Sequence, residues 1–206
     1  MKKGVFFVVS GPSGVGKGTV LKKVMAANPN LHYSVSATTR APREGEIDGV
    51  NYFFMSEDEF DRKVENGEFL EHVKTYGISY GTLKKNVEDK VDSGQCVILE
   101  IDVKGALNLM DRGIRAVYIF IAPEKFSVIR ERLLNRGTED PEMLEKRVEV
   151  AKWELEQADK YEYVIINKDL DKACCEFDSI VRASSCLASC TDFSEFDWSG
   201  RKRSAE

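Results

Sequence analysis

The 206-residue sequence has few histidines, prolines and cysteines, and it contains no long apolar run. A bilayer-spanning helix needs about 20 consecutive apolar residues, and no segment approaches that length. The N-terminus lacks the order of basic, apolar and small residues that is typical of a secretory signal. Apolar residues make up 42% of the chain and charged residues 32%, which excludes collagen-like and disordered classes. We therefore expect one cytoplasmic globular domain without a membrane partner.

An excess of positive charge is also absent, because the formal net charge is −5 at pH 7. Proteins that bind nucleic acids carry clustered lysine and arginine side chains. The charge balance therefore argues against a nucleic-acid partner. Any polyanion that this protein binds should be small and held by a few basic groups.

The cysteines are odd in number, and four of the five lie near the C-terminal end: Cys174, Cys175, Cys186 and Cys190. The simplest interpretation is that these four and Cys96 are reduced thiols of a cytosolic chain. A metal site in the C-terminal group stays open as an alternative, although its spacing matches no common zinc pattern and no histidine lies nearby.

Continuous apolar runs that alternate with helical patterns predict an α/β fold, in which helices cover both faces of a parallel sheet. The expected buried strands cover residues 5–9, 96–101, 116–121 and 163–166. The expected helices cover residues 17–27, 83–92, 104–110, 124–135 and 142–159. For the last of these helices, Asp140 is the expected N-cap and Pro141 the expected first residue.

Two segments depart from this alternation. Residues 34–81 are short polar stretches with many aromatics, and they predict a small mixed-β insert whose one helix starts at the capping box of Ser56 and Glu59. Residues around 135–143 predict a second excursion between two charged helices. From about Ser184 the periodicity ends, and we expect a frayed tail.

A glycine-rich motif, VSGPSGVGKGTV, connects the first strand to the first helix. The motif matches the P-loop pattern, in which a glycine (Gly11) is followed after four residues by Gly16 and Lys17. In a P-loop, backbone N–H groups surround a phosphate and the lysine reaches the β- and γ-phosphates. The helix N-terminus adds a partial positive charge. The expected ATP-binding residues are Gly11, Pro12, Ser13, Gly14, Val15, Gly16, Lys17, Gly18 and Thr19.

The motif departs from its usual form at Gly18, where a serine or threonine hydroxyl commonly contacts Mg²⁺. Thr19 follows one position later. Because Mg²⁺ readily keeps several waters, we expect nucleotide oxygens and water to hold the ion, with no direct protein ligand assigned. Many nucleoside monophosphate kinases carry the same GKGT sequence.

The insert supplies a second group of basic residues in SATTRAPREGEIDGVNYFF. Arg40 and Arg43 are three positions apart, and Tyr52 follows nine positions later. Two guanidinium groups and a phenol hydroxyl can hold a terminal phosphate dianion together. A solvated basic loop is an equally good interpretation of these residues alone.

Taken together, these segments resemble the guanylate kinase family in its bacterial form. The resemblance covers residues 4 to 185 and runs through the P-loop, the insert sequence above, GEFLEHVKTYGISYGT, VILEIDVKGA, NRGTE and VIINKDLDKA. It implies a P-loop NTPase-type core at residues 1–33, 83–123 and 160–185. It further implies a mobile GMP-binding region at 34–82, a mobile helical lid at 124–159 and a tail at 186–206.

The implied activity is that of an ATP:GMP phosphotransferase, which transfers the γ-phosphoryl group of ATP to GMP in the presence of Mg²⁺. The acceptor phosphate is already ionised near neutral pH, so no general base is needed and His32 and His72 require no catalytic role. By resemblance, catalysis falls to Lys17, Arg136 and Arg147, and Asn167 lies near the adenine. The implied GMP-binding residues are Ser36, Arg40, Arg43, Tyr52, Glu71, Tyr80, Thr82 and Asp102.

Within that set, Glu71 and Thr82 are expected to read the guanine. A carboxylate can accept hydrogen bonds from both N1–H and the exocyclic amine of guanine, whereas adenine presents a lone pair at N1. A polar site rejects an analogue that lacks its partner groups strongly. Thr82 could donate to guanine O6. Without the resemblance, an exposed carboxylate on an edge strand would be the preferred interpretation of Glu71.

Two other functions remain as alternatives. Some domains that resemble guanylate kinase bind phosphorylated peptides and have no activity, but they typically lack a working P-loop and lid arginines. A kinase for a different nucleoside monophosphate would share the fold without the SATTRAPREGE segment. The oligomeric state is not predicted.

Overall fold

Three of the four apolar runs that the sequence assigns to buried strands form the centre of a five-stranded sheet. The prediction of a buried strand is wrong for the fourth run, Tyr163–Ile166, because this strand lies at the edge of the sheet and only its Ile165 is buried. The computed structural model describes residues 3–75, 77–134 and 141–195. Its strands are β1 (Phe6–Ser10), β2 (Leu31–Tyr33), β3 (Ala37–Thr38), β4 (Phe53–Phe54), β5 (Phe69–Thr75), β6 (Ile78–Leu83), β7 (Cys96–Glu100), β8 (Val117–Ala122) and β9 (Tyr163–Ile166). The main sheet has the order β2-β7-β1-β8-β9, and every pairing in it is parallel. The expected α/β class is therefore confirmed.

Helices cover both faces of this sheet, as continuous apolar strands require. They are α1 (Lys17–Ala27), α2 (Glu57–Glu65), α3 (Lys84–Asp92), α4 (Val103–Asp111), α5 (Phe126–Leu134), α6 (Pro141–Glu156) and α7 (Leu170–Ser184). Alternate residues of β1 enter two separate cores. Phe7 lies in the core formed with α1 and α7, whereas Val8 lies in the core formed with α3 and α4.

The insert forms its own sheet in the order β4-β3-β6-β5. Its small core contains Ala37, Phe60 and Phe69, and the rings of Phe60 and Phe69 stack with centroids 4.5 Å apart. Helix α2 begins where the capping box predicts, because the Ser56 hydroxyl accepts the N–H of Glu59 at 3.2 Å. A mixed sheet with one helix is the architecture that the sequence predicts for this region.

The predicted element boundaries agree with the structure within a few residues, but two elements were missed. Strand β2 is only three residues long, and α7 follows the last buried strand directly. Helix α6 begins at Pro141, as predicted, whereas its expected N-cap Asp140 lies outside the described residues. Among the described residues, no helix is long and apolar enough to cross a membrane.

The prediction of a frayed tail from about Ser184 is wrong for its first part. The chain forms short 3₁₀ turns at Ala188–Cys190 and Phe193–Glu195. Cys190 is buried in the core beside α1 and α7, where its Sγ lies 3.7 Å from the carbonyl oxygen of Gly4. A free cysteine behaves as a small apolar residue, so its burial ties this segment to the start of β1.

Candidate active site

The P-loop lies between β1 and α1, as the sequence predicts, and its path depends on two glycines. Gly11 has φ 146°, and a Cβ atom there would lie 2.1 Å from the carbonyl oxygen of Ile121 in β8. Gly16 is the N-cap of α1 with φ 96°. Glycine is needed at both positions, because other residues rarely adopt such φ values and Gly11 has no room for a side chain.

The side chain of Lys17 folds back over this loop. Its Nζ donates to the carbonyl oxygens of Gly11 at 2.5 Å and Pro12 at 3.3 Å. The loop lines a cavity of about 720 Å³, which Lys22 and Glu100 also border. A charged group and backbone N–H groups at the start of a helix form a suitable site for a polyphosphate.

Two side chains from distant segments hold the middle of the loop. The amide Nδ2 of Asn167, which follows β9, donates to the carbonyl oxygen of Val15 at 2.7 Å. Arg132 of α5 donates to the carbonyl oxygens of Val15 and Gly14, each at 3.1 Å. The resemblance implies that Asn167 lies near the adenine. The structure places both side chains on the P-loop backbone.

A further carboxylate next to the loop, Glu154 of α6, was missed. Glu154 is only 8% exposed, and the backbone N–H of Ser13 lies near enough to favour its ionised form. Burial raises its pKa to about 7, although the nearby positive charge of Lys17 acts in the opposite direction. The sequence gives little sign of this role, because Glu154 lies among other charged residues on a helix.

In the insert, the Arg40 side chain contacts a carboxylate and an aromatic ring. Its Nη2 contacts both carboxylate oxygens of Glu46, at 2.8 and 2.9 Å. Its guanidinium carbon lies 5.4 Å from the ring centroid of Tyr52, and Tyr52 in turn packs edge-on against Tyr80. Arg40, Tyr52 and Tyr80 therefore come together, as the resemblance implies.

Glu46 is a second residue that the sequence analysis did not assign. Besides its contacts with Arg40, its carboxylate accepts the backbone N–H of Arg43 at 2.7 Å. These hydrogen bonds hold the pKa of Glu46 below its ordinary value. Glu46 therefore shapes the loop that carries both arginines. The REGE sequence indicates this contact, because it places a glutamate, Glu46, three positions after Arg43.

Glu71 and Thr82 face each other across β5 and β6, where they are paired in register. The Thr82 hydroxyl donates to Glu71 Oε1 at 2.7 Å. Both residues are buried, since Thr82 is 0% exposed and Glu71 is 5% exposed. Burial raises the pKa of Glu71, and the charge of Asp102 acts in the same direction, while the Thr82 hydrogen bond opposes them. The interpretation of Glu71 as an exposed edge carboxylate is therefore wrong.

The Thr82 hydroxyl has one proton, which it gives to Glu71 in this structure. Donation to guanine O6, as the sequence analysis expects, would require this hydroxyl to turn away from Glu71. The observed contact instead makes Thr82 the residue that orients the Glu71 carboxylate.

Asp102 lies at the junction of the insert and the core. Its carboxylate caps α4 by accepting the N–H of Gly105 at 2.7 Å. Glu71 Oε2 also approaches Gly105, lying 3.6 Å from the position that a Cβ atom would take there. The Asp102 side chain thus has a structural role beside its predicted contact with GMP.

The remaining predicted residues have simple placements. Ser36 directly precedes β3, and its carbonyl oxygen accepts the N–H of Phe53 at 2.9 Å. Arg147 lies half-buried on α6. Arg136 lies outside the described residues. Arg130 forms a 3.7 Å ion pair with Glu145 between two exposed side chains, which is typical of a solvated helix surface.

Comparisons with known proteins agree with this geometry. The family model described as guanylate kinase matches residues 3–184. The guanylate kinase of Halalkalibacterium halodurans is 46% identical over 185 residues, which cover 90% of this chain and 91% of that protein. The guanylate kinase of Thermotoga maritima is 44% identical over 181 residues, covering 88% and 87% of the two chains. The crystal structure of guanylate kinase from Anaplasma phagocytophilum superposes with a TM-score of 0.71 at 35% identity, covering 92% of this chain and 90% of that one.

Proposed function

The chain belongs to the guanylate kinase family, whose activity is ATP-dependent phosphorylation of GMP, and we propose that its P-loop holds ATP while its insert holds GMP. In this reaction the bond from the γ-phosphorus to the β-phosphate oxygen breaks, and a bond to an oxygen of the GMP phosphate forms. The observation that carries the proposal is the buried Glu71 carboxylate, oriented by Thr82 where the insert meets α4.

On the ATP side, the P-loop residues Gly11 to Thr19 surround the phosphates. Lys17 exchanges its contacts with the Gly11 and Pro12 carbonyl oxygens for contacts with the β- and γ-phosphates. The side chains of Asn167 and Arg132 hold the backbone of the same loop from two other segments. The resemblance places Asn167 near the adenine, in addition to its contact with Val15.

Mg²⁺ fits this site as an ion held by nucleotide oxygens and water. Gly18 offers no ligand atom, and nothing lies within 4 Å of the position that its Cβ would take. Thr19 and Glu100 line the same cavity, and both are residues whose side chains carry oxygen atoms, which suits a hydrated magnesium ion. When bound, the ion would neutralise charge on the transferring phosphoryl group.

On the GMP side, Ser36, Arg40, Arg43, Tyr52 and Tyr80 bind the phosphate. Arg40 is already ordered by Glu46, so less side-chain freedom is lost when the phosphate arrives. Glu71 accepts the N1–H and amine hydrogens of guanine, with Thr82 and Asp102 beside it. These donors satisfy a carboxylate that burial otherwise leaves poorly solvated, which favours guanine over adenine.

Catalysis then rests on positioning and charge. Lys17, Arg136 and Arg147 stabilise the negative charge of the transferring group, and the ionised acceptor needs no base. Closure of the insert (residues 34–82) and the lid (residues 124–159) over the core would exclude water, which otherwise competes as acceptor.

Substitution of the P-loop lysine tests this proposal. Lys17→Ala should reduce kcat for GMP phosphorylation by about 10²–10³, the usual cost of removing one group that stabilises the transition state. Lys85→Ala, which changes an exposed lysine of α3, is the matched control and should keep wild-type activity. A folded Lys17→Ala protein with undiminished turnover would contradict the assignment of the P-loop.

A further inference from the structure

Glu46 fixes a turn in the part of the insert that carries Arg40 and Arg43. Its backbone N–H donates to the carbonyl oxygen of Arg43 at 3.1 Å, and its carboxylate oxygen Oε2 accepts the backbone N–H of Arg43 at 2.7 Å. The two hydrogen bonds join the same pair of residues in opposite directions, so they hold the Glu46 side chain in place relative to the loop backbone. The position of this carboxylate is therefore set by the loop itself.

The guanidinium group of Arg40 is held against this carboxylate. Its Nη2 donates to both carboxylate oxygens of Glu46, at 2.8 and 2.9 Å, and its Nη1 donates to the carbonyl oxygen of Ala41 at 2.8 Å. The ring centroids of Tyr52 and Phe54 lie 5.4 and 5.8 Å from its guanidinium carbon. The side chains of Arg40 and Glu46 are only 14% and 19% exposed. Polar and aromatic contacts together therefore fix Arg40.

These contacts leave Arg40 able to bind an anion. A guanidinium group carries five N–H donors, and the contacts with Glu46 and Ala41 use at most three of them. A phosphate dianion can therefore contact Arg40 while Glu46 keeps its own hydrogen bonds. Glu46 is then a support for Arg40, and the phosphate does not need to displace it.

A carboxylate near a phosphate also has an unfavourable effect, because the two negative charges repel each other. The hydrogen bonds from Arg40 lower the pKa of Glu46, so its carboxylate is ionised near neutral pH. Residues 41–45 of this loop are exposed to solvent, so screening weakens the repulsion. A free arginine side chain, in contrast, loses much conformational entropy when a ligand fixes it. We expect the gain from ordering Arg40 to exceed the repulsion.

We propose that Glu46 is a positioning residue for GMP, which orders Arg40 so that its guanidinium group is already placed for the acceptor phosphate. Glu46 itself does not contact the nucleotide. Because it acts through the phosphate contact, it changes the affinity for GMP and not the affinity for guanosine, which has no phosphate. This inference rests on the proposed function, because it takes the insert as the GMP site.

Calorimetric titrations with GMP and with guanosine, both without ATP, measure this effect. Glu46→Ala should raise the Kd for GMP about five- to tenfold, the usual cost of ordering one long side chain on binding, and should leave the Kd for guanosine within about twofold of wild type. Glu46→Gln keeps an oxygen that can accept the Arg43 N–H, so we expect a smaller increase of about two- to threefold. Glu44→Ala removes an exposed carboxylate, and thus the same charge, from the same loop. It is the matched control and should bind both ligands as wild type.

A double-mutant cycle shows whether Glu46 acts through Arg40. Arg40→Ala should raise the Kd for GMP by about 10²-fold, because charge-assisted hydrogen bonds to the phosphate are lost. In that background Glu46→Ala should change the Kd by less than about twofold, since the side chain that Glu46 orders is gone. With saturating GMP and ATP, Glu46→Ala alone should raise KM for GMP and keep kcat within about twofold of wild type.

Failure of this inference and failure of the proposed function give different results. A Glu46→Ala protein that binds GMP as tightly as wild type, or more tightly, overturns the role of Glu46. Equal weakening of GMP and guanosine binding also overturns it, as does an undiminished effect of Glu46→Ala in the Arg40→Ala background. If the alanine variant does not fold, Glu46→Gln replaces it in the same comparisons. A wild-type protein that binds no GMP instead contradicts the proposed function.

Discussion

Among single residues, Glu71 shows most clearly how the fold prepares a specific contact. Burial between two strands raises its pKa, and the Thr82 hydroxyl stabilises only one of its carboxylate oxygens. A ligand that brings two neighbouring N–H donors removes much of the remaining cost of burial. The Watson–Crick edge of guanine carries such donors, so we propose that this buried acid gives the site its selectivity for guanine.

Replacement of this acid by its amide tests that argument. Glu71→Gln should lower kcat/KM for GMP by about 10²–10³-fold, because two hydrogen bonds to a charged acceptor are lost or weakened. Glu65→Gln, an exposed carboxylate at the end of α2, is the matched control. Steady-state kinetics with GMP as the varied substrate give both values. An unchanged kcat/KM in the Glu71 variant would contradict the guanine contact.

The Glu71→Gln substitution should also change the pH dependence of thermal stability, because the pKa of Glu71 is raised in the folded protein. The folded protein holds the Glu71 proton to higher pH than the unfolded chain, so wild-type stability falls as pH rises through the ordinary carboxyl range toward the raised value. The amide does not titrate. Without nucleotide, Glu71→Gln should therefore gain thermal stability over wild type by about 2–4 °C more at pH 8 than at pH 5.

Among the elements, the strand, loop and helix of the P-loop follow from the sequence almost to the residue. An apolar run, a glycine-rich turn and a helical pattern leave little choice of conformation, and α1 covers Lys17–Ala27 as predicted. Gly18 is the exception to the usual motif, and the structure gives no steric reason for a glycine there. It lies in the first turn of α1, where serine is a better helix former.

A serine at this position should therefore be tolerated. Gly18→Ser should raise helix stability by about 0.5 kcal/mol and lower the Mg²⁺ concentration that gives half-maximal activity, because it supplies the hydroxyl of the usual motif. Gly18→Ala gives a larger helical gain of about 1 kcal/mol without a hydroxyl and is the control. Activity measured against free Mg²⁺ separates the two. Equal curves for the serine and alanine variants would contradict a direct role for the hydroxyl.

Other elements and contacts could not be predicted because their causes are not local. Strand β2 is too short to show a repeating pattern, and it is defined by pairing with β7. Glu154 belongs to a charged helical stretch, and only its burial in the folded protein distinguishes it from its neighbours. Glu46 lies in a polar loop, and its role is identified only by the hydrogen bond that its carboxylate accepts from Arg40. Sequence patterns report periodicity and motifs, whereas these contacts depend on the tertiary fold.

For the whole molecule, the fold brings two independent recognition regions onto one edge of the parallel sheet. The P-loop follows β1, and Asp102 follows β7, the strand beside β1. Ligands of open α/β sheets bind at such carboxyl ends. Glu71 approaches the N-terminus of α4, the helix that follows β7, so the proposed guanine contact lies beside the strand next to β1 and its P-loop. The arrangement suits transfer between two nucleotides.

Acceptor selectivity decides whether this chain is a GMP kinase. ADP formation from ATP and Mg²⁺ is measured with GMP, AMP, UMP or CMP at equal concentration, using the wild-type chain. We predict rapid turnover with GMP and rates lower by at least about 10²-fold with the other three, as a site built on polar contacts discriminates strongly. A folded protein that binds GMP but forms no ADP with any acceptor would contradict the kinase assignment and favour a binding module.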